Sequence, residues 1–454
     1  MFGFKSKSKS NSRIVARKHS IIKSKQKNLI FFKKKGNQKL KRTENSKKKS
    51  INPLNIFFDF SLSSDKKLFF LFLGLLTIGI IAVFSSTIVF AYRYTGDKYF
   101  YLLNQIRLIG VGFIFMSFFY FVRIEVIAKL WFIPFGICIG LLSYLFYLSL
   151  TSQAEIIDGA TRWIKLGGFQ FQPSDFAKLA FVIFVASFLG NRPLEYRDTN
   201  EYFKKNLGPF LFMFLLTVVL ILLGRNLGTA LVVGFIGLVC YGATATSKYQ
   251  KSGFIIICIL IVAGGIMFGL YERYRMERIN VWINYLKTGD TAVLNKDGIP
   301  SRNEESYQFD QVLTAVGSGG MTGEGLGESI GKFYFVKTTA GDDSIIGIIA
   351  EELGFFMTTG ILLIYIYLVF GCLNLAKKMA SNRVYYLLLI GIASWIGFQM
   401  FVHVGANLGV IPLTGQTLPF ISIGGSSIIA LMGAFGIVLN ISKQSNKSTS
   451  SERR

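Results

Sequence analysis

The sequence predicts an all-α integral membrane protein with ten transmembrane helices. Three observations carry that prediction. The 454 residues are 51% hydrophobic, with a mean hydropathy of +0.46. Apolar runs of about twenty residues, each long enough to cross a hydrocarbon core as a helix, recur along the chain. Loops rich in Lys and Arg alternate with loops that are not, the pattern of a polytopic protein obeying the positive-inside rule.

The runs place the spans near 68–92, 103–122, 127–150, 173–190, 207–224, 228–246, 252–271, 344–370, 384–406 and 424–442. Ahead of them, residues 1–66 form a basic tail. Residues 1–50 hold 18 Lys and Arg against one acid, Glu44, and so supply +17 of the net +25. Such a segment has too little apolar surface to build a core and is expected to be disordered. Its NLIFFKKKG stretch (28–36) also suits contact with anionic lipid. Residues 443–454 read as a second tail. Arg123 and Lys129, then Arg192, Arg197, Lys204 and Lys205, then Lys248 and Lys251, then Lys377, Lys378 and Arg383 follow the even-numbered spans. Both termini are therefore expected in the cytoplasm, and the large loop 272–343 between spans seven and eight outside. Before the tenth span, GVIPLTGQTLPFISIGGSS (409–427) is broken by Pro and Gly. It reads either as a re-entrant, cavity-lining stretch, where irregular backbone is tolerated, or as an ordinary external loop.

Several function classes are excluded. The four cysteines, Cys138, Cys240, Cys258 and Cys372, fall in or beside apolar spans, with no spacing for a disulfide framework or a zinc site. Two distant histidines, His19 and His403, leave no His-based metal site and no Ser-His-Asp triad. Beyond the basic tail nothing suggests a nucleic-acid partner, and no P-loop is present.

Polar residues cluster on the expected outer side. In GATRWIKLGGFQFQPSDFAKLA (159–180), Arg162 and Lys165 flank Trp163, and Ser174 is placed to cap the fourth span. Asp175 and Lys178 are three apart and share a helix face. Charges at membrane depth are costly and usually functional; the competing reading is an ion pair that fixes helix position. In YERYRMERINVWINYL (271–286), Arg273, Arg275 and Arg278 suit an interfacial helix whose guanidinium forks bind phosphate or reach for headgroups. The stretch YQFDQVLTAVGSGGMTGEGLGES (307–329) is rich in glycine, with backbone free to approach a ligand. It leads through Lys332 into KTTAGDDSIIGIIAEELGF (337–355), which carries four carboxylates. Asp342 and Asp343 stand at the mouth of span eight, as helix caps or as chemistry. Glu351 lies roughly 12 Å further along the helix, and Glu352 faces elsewhere.

These motifs, in order and together with NLGTALV (226–232), YRMERI (274–279), IIAEELGF (348–355) and IPLTGQTLPFISIGGSS (411–427), resemble the SEDS family of shape, elongation, division and sporulation proteins over residues 67–442. The wording is closer to the FtsW type, which acts in division, than to the RodA type, which acts in elongation. The resemblance implies a peptidoglycan glycosyltransferase that polymerises lipid II at the bacterial cytoplasmic membrane, enriched at the septum. A class B penicillin-binding protein transpeptidase and divisome proteins would be its partners. It also implies an aspartate base, which is Asp343 when counted back from EELG and Asp342 when counted forward from GLGES. Arg162, Asp175, Lys178, Arg275, Lys332, Glu351 and Ser422 are the implied substrate-binding residues. No protein-held metal is expected, though a divalent cation such as Mg2+ would suit the leaving pyrophosphate. A lipid-precursor flippase or transporter and a non-catalytic division scaffold are the rival readings. The chain departs from the family wording in reading KTTAGDD for LPEAHTD and RNLGTA for PDLGTA. It also has Asp175 for Glu, His403 for Asn and Ile423 for Tyr, and an apparent insertion over 287–306.

Overall fold

The computed structural model describes residues 65–151, 162–166, 169–193, 195–271, 273–294, 300–334 and 340–452. The expected tail, but for its last two residues, and the side chain of Arg275 lie outside the described residues.

Ten helices are long and apolar enough to cross a membrane. They are α1 (Lys66–Thr95), α2 (Phe100–Phe121), α4 (Phe132–Leu150), α5 (Pro173–Gly190), α7 (Leu227–Thr244), α8 (Lys248–Tyr271), α11 (Ile345–Lys378), α12 (Arg383–Asn407) and α13 (Gly425–Glu452), with α6 (Thr199–Leu223) between α5 and α7. A short α3 (Ile124–Lys129) precedes α4, and two helices outside the crossing set, α9 (Arg273–Thr288) and α10 (Glu304–Ser318), fill the large connection between α8 and α11. Two small antiparallel hairpins complete the described chain: β1 (Ile164–Leu166) with β2 (Phe169–Phe171), and β3 (Val293–Leu294) with β4 (Pro300–Ser301).

The apolar runs explain why these segments are helical; capping side chains explain where several begin. Asp65 accepts from the Lys67 amide at 2.9 Å, Asp198 from Glu201 at 2.7 Å, Asn226 from Thr229 at 3.1 Å and Asn382 from Val384 at 3.1 Å. Each satisfies an amide that has no partner within the helix. Three expected boundaries change. The third span starts at Phe132, because the chain breaks at Leu130–Trp131 and Pro134 then sits in the first turn, where proline is tolerated. The fifth begins at Thr199 and passes through a π-helical stretch, Phe203–Leu207. The last helix runs to Glu452, through the segment expected to be a tail.

Helices α5, α12 and α13 form the centre and α8 the rim: 94% of the crossing window of α13 is buried, against 17% for α8. The broken segment enters this centre. Residues 411–424 are not helical, and Leu418–Ser422 are buried. The Phe420 ring lies 5.2 Å from that of Phe72 in α1, and the Tyr365 hydroxyl of α11 donates to the Pro419 carbonyl. The segment is therefore re-entrant, and the external-loop reading is set aside.

The two ends of the bundle differ. At one end the Asp65 amide meets Ser442 Oγ at 2.7 Å, Lys443 Nζ meets the Tyr120 carbonyl at 3.1 Å, and Arg383 Nη1 meets the Arg192 carbonyl at 2.6 Å. The start of α1 and the end of the crossing part of α13 thus share that end. The start of α11 and the end of α12 meet at the other, together with the polar motifs.

Candidate active site

The chain approaches α11 through a tight turn. Residues 341–344 precede the helix, and Ser344 takes the capping position without a side-chain cap bond, so neither Asp342 nor Asp343 caps it. The turn is sewn down through its backbone. Ile423 N donates to the Gly341 carbonyl at 2.8 Å, Ser422 Oγ to the Asp342 carbonyl at 2.7 Å, and Asn407 Nδ2 to the Asp343 carbonyl at 2.9 Å. Backbone anchoring on both sides fixes the turn that carries the two half-buried carboxylates.

Asp343 has a cationic neighbour. Gly415, in the left-handed region at φ 64°, has no side chain; a Cβ there would stand 3.4 Å from Asp343 Oδ2 and 4.0 Å from Arg278 Nη1. The carboxylate and the guanidinium thus flank one small space. Arg278 is itself fixed: its Nε donates to Glu305 Oε2 at 2.6 Å and its Nη1 to the Leu413 carbonyl at 3.2 Å. Beside it lies a small pocket lined by Arg278, Trp282, Glu305, Phe309 and Leu413.

Three buried polar side chains on α12 connect this turn to the membrane interior. Gln399, His403 and Asn407 are four apart and so share a face. Gln399 Oε1 accepts from Lys178 Nζ at 3.1 Å and from Trp395 Nε1 at 2.8 Å, while its Nε2 donates to the Thr417 carbonyl at 2.9 Å. His403 Nδ1 meets the Gln416 carbonyl at 2.6 Å; a carbonyl only accepts, so Nδ1 carries the hydrogen. Asn407 reaches Asp343. At the deep end Lys178 pairs with Asp175 at 2.8 Å, both buried. The ladder satisfies carbonyls that the broken segment cannot satisfy itself, as burial demands.

The glutamates do something different. Glu351 accepts from Ser329 Oγ at 2.5 Å and from the amides of Ile330 and Gly331 at 3.0 Å each. Glu352 accepts from Ser85 Oγ of α1 at 2.5 Å and pairs with Lys332 at 3.4 Å. Lys332 Nζ also donates to the Gly327 carbonyl. Both acids and the lysine are buried. They clamp the glycine-rich loop onto α11. The backbones then touch: Glu324 N and Gly325 N donate to the carbonyls of Glu351 and Glu352, and Phe355 N to that of Gly320. A Cβ on Gly323 would fall 2.2 Å from the Glu352 carbonyl oxygen, and one on Gly354 2.2 Å from Gly323 N. The loop's close approach is therefore to a helix, not to a ligand as the sequence suggested.

The expected site residues thus divide. Asp342, Asp343 and Ser422 gather at the turn. Asp175 and Lys178 join it through α12. Lys332 and Glu351 hold the loop. Arg162 donates to the Arg225 carbonyl at 2.9 Å and lines a separate small pocket with Ser174 and Asn226. Ser174 is not a cap, because Pro173 starts α5 and Gln172 takes the capping position; its hydroxyl meets Gln172 and Asn226 instead. The sequence puts forward Arg273, Arg275 and Arg278 together and keeps Arg275 among the implied substrate-binding residues; the side chain of Arg275 lies outside the described residues, and the structure adds Arg278. Arg278, Val281, Trp282 and Tyr285 follow helical spacing, which puts Arg278 on the more buried face of α9.

Ten crossing helices, a re-entrant segment and a charged turn at one mouth define a polytopic membrane protein with a polar site at the end of the bundle. The family model described as "Cell cycle protein", that of FtsW, RodA and SpoVE, matches residues 66–447, and the chain belongs to this SEDS family. Stage V sporulation protein E of Bacillus subtilis (strain 168) is 32% identical over 384 residues, covering 84% of this chain and 98% of that protein. "Probable peptidoglycan glycosyltransferase FtsW" of Aliivibrio salmonicida (strain LFI1238) is 32% identical over 383 residues, covering 83% and 88%. Among solved structures, rod shape determining protein RodA of Thermus thermophilus matches with TM-score 0.57 at 25% identity, covering 84% and 98%. A chain of a peptidoglycan synthase complex that coordinates polymerization and crosslinking matches with TM-score 0.65, covering 85% and 99%; at 24% identity it speaks to the fold alone.

Proposed function

We propose that this chain is a peptidoglycan glycosyltransferase that polymerises lipid II, with Asp343 as general base. The observation that carries the reading is the Asp343 carboxylate beside Arg278 at the mouth of the bundle, in a turn held by its backbone. In the reaction the 4-hydroxyl of the acceptor sugar attacks the anomeric carbon of the donor. A new carbon–oxygen bond forms there, the bond to the phosphate oxygen breaks, and undecaprenyl pyrophosphate leaves with the electron pair. A sugar hydroxyl is a weak nucleophile, and a carboxylate that takes its proton contributes about 10²–10⁴-fold. Arg278 offers positive charge where negative charge moves, the kind of fixed electrostatic support that catalysis uses most. The lipid tails of donor and acceptor account for a site at the end of a helical bundle.

A divalent cation at the pyrophosphate would be held by the phosphates with one or two carboxylates, a role that Asp342 and Asp343 could fill. Among the described residues no group of three or more His, Cys, Asp or Glu is placed to hold a metal by itself, and no step is routed through one. The relatives named FtsW favour the division-type reading, and with it we propose a septal place in the bacterial cytoplasmic membrane beside a class B penicillin-binding protein and divisome proteins. The shared end of the α1 start and the α13 crossing part supports termini on one side, and the basic loops favour the cytoplasm. The decisive experiment is cell-free: purified full-length protein with lipid II should yield glycan strands. Folded protein that yields none, alone or with its transpeptidase partner, would count against an enzyme and for a flippase or a scaffold.

A further inference from the structure

The glycine-rich loop is built inside out for a loop in water. Two of its polar side chains point inward: Ser329 is fully buried and Lys332 nearly so, both engaged with the glutamates of α11. Its large apolar side chains point outward. Met321 is 63% exposed, Leu326 61%, Ile330 58% and Phe333 47%. Contiguous exposed apolar surface of this kind marks an interaction site.

The geometry of α11 says at what level this surface lies. From Phe355 to Ala376 the helix carries no charged residue, and Lys377 and Lys378 follow. Those 22 residues rise about 33 Å, which matches a hydrocarbon core of about 30 Å. Phe355 therefore marks the other edge of the core. Phe355 N donates to the Gly320 carbonyl at 2.9 Å and Phe356 N to that of Met321 at 3.3 Å. These bonds hold the loop at the edge of the core, its backbone against that of exposed Phe355 and Phe356. Arg93 of α1, which donates to the Phe333 carbonyl at 3.3 Å, supplies a cation suited to the headgroup level. Exposed Glu324 and Glu328 limit the depth, since carboxylates do not enter hydrocarbon without a partner.

We propose that residues 320–333 seat in the membrane interface, with Met321, Leu326, Ile330 and Phe333 among the upper acyl chains. The loop leads into the Asp343 turn and is clamped to the same helix, so its seating fixes the height of that turn above the lipid. The occupant is the bilayer itself, not a partner protein.

The test uses full-length protein alone in nanodiscs of phosphatidylethanolamine and phosphatidylglycerol. A nitroxide is placed at Leu326→Cys, and separately at Ile330→Cys, in a Cys258→Ser background, because the other three cysteines are buried. Phe356→Cys serves as the lipid-facing reference and Lys287→Cys as an exposed reference on α9. Both loop labels should behave like the label at 356, relaxed more by oxygen than by a water-soluble nickel chelate. Relaxation by the chelate at both loop positions, in protein that melts like wild type, overturns the proposal. So does a label that leaves water only when a transpeptidase partner is added, which would make the loop a protein interface. Neither result bears on whether the protein polymerises lipid II.

Discussion

Two pairs of acids stand eight residues apart in one stretch of sequence, and their surroundings have opposite characters. Glu351 and Glu352 are buried and held by polar partners: each has a serine hydroxyl at 2.5 Å, one has two backbone amides, the other a lysine. Asp342 and Asp343 are half-buried, and the bonds that fix their turn run through the backbone carbonyls. A carboxylate gripped by side chains and amides in a closed site suits structure. The aspartates instead sit on a turn whose position is set through its backbone carbonyls. Acids at the membrane's edge are thus not one signal but two, separated by how each is held in place.

The comparison can be broken from the structural side. Glu352→Ala leaves Lys332 buried without its carboxylate, a change that typically costs about 3–5 kcal/mol. The expected result is a large drop in the thermal midpoint of detergent-solubilised protein. An unchanged midpoint would mean that the glutamate pair is not the clamp described here.

A smaller effect is expected at Asn407, which touches the aspartate turn only through the Asp343 carbonyl. Asn407→Ala removes a buried donor and leaves that carbonyl short of a partner, worth about 1–3 kcal/mol. If Asn407 positions the base, kcat should fall while KM for lipid II stays near wild type, and Asn407→Gln should not restore it, because the longer side chain misplaces the donor. Equal changes in both constants, with a lowered midpoint, would reduce it to a packing role. The smallest effect belongs to the tail. Deletion of residues 2–50, which carry no motif, should leave polymerisation by purified protein unchanged within about twofold, measured as glycan formed per minute; twofold corresponds to well under 1.4 kcal/mol.

Much of the fold could be read from hydropathy, because a span announces itself by length and absence of charge. Its ends were harder. The breaks at Leu130–Trp131 and at Gly354 depend on local backbone that a run of apolar residues does not encode. The re-entrant segment was visible as a Pro/Gly-broken stretch, but its depth required the Phe420–Phe72 contact. At the site, the Asp175–Lys178 pair followed from spacing and was found as expected. The partners of Lys178 and Asp343 on α12 did not, since Gln399 lies 221 residues from Lys178 and Asn407 64 residues from Asp343. The glycine-rich loop misled most: glycine permits close approach, and sequence cannot say whether to a ligand or to a helix.

The central claim, that Asp343 does chemistry while its neighbours shape the site, is tested most directly by one paired measurement. Full-length Asp343→Asn and Asp342→Asn are purified, matched for thermal midpoint, and compared with wild type for lipid II polymerisation. Asparagine keeps the size of the side chain but cannot take a proton as a carboxylate does. The account predicts a loss of about 10²–10⁴-fold for Asp343→Asn, with Asp342→Asn retaining most of the wild-type rate. A near wild-type rate for Asp343→Asn would contradict it, and a dead Asp342→Asn beside it would move the base by one residue.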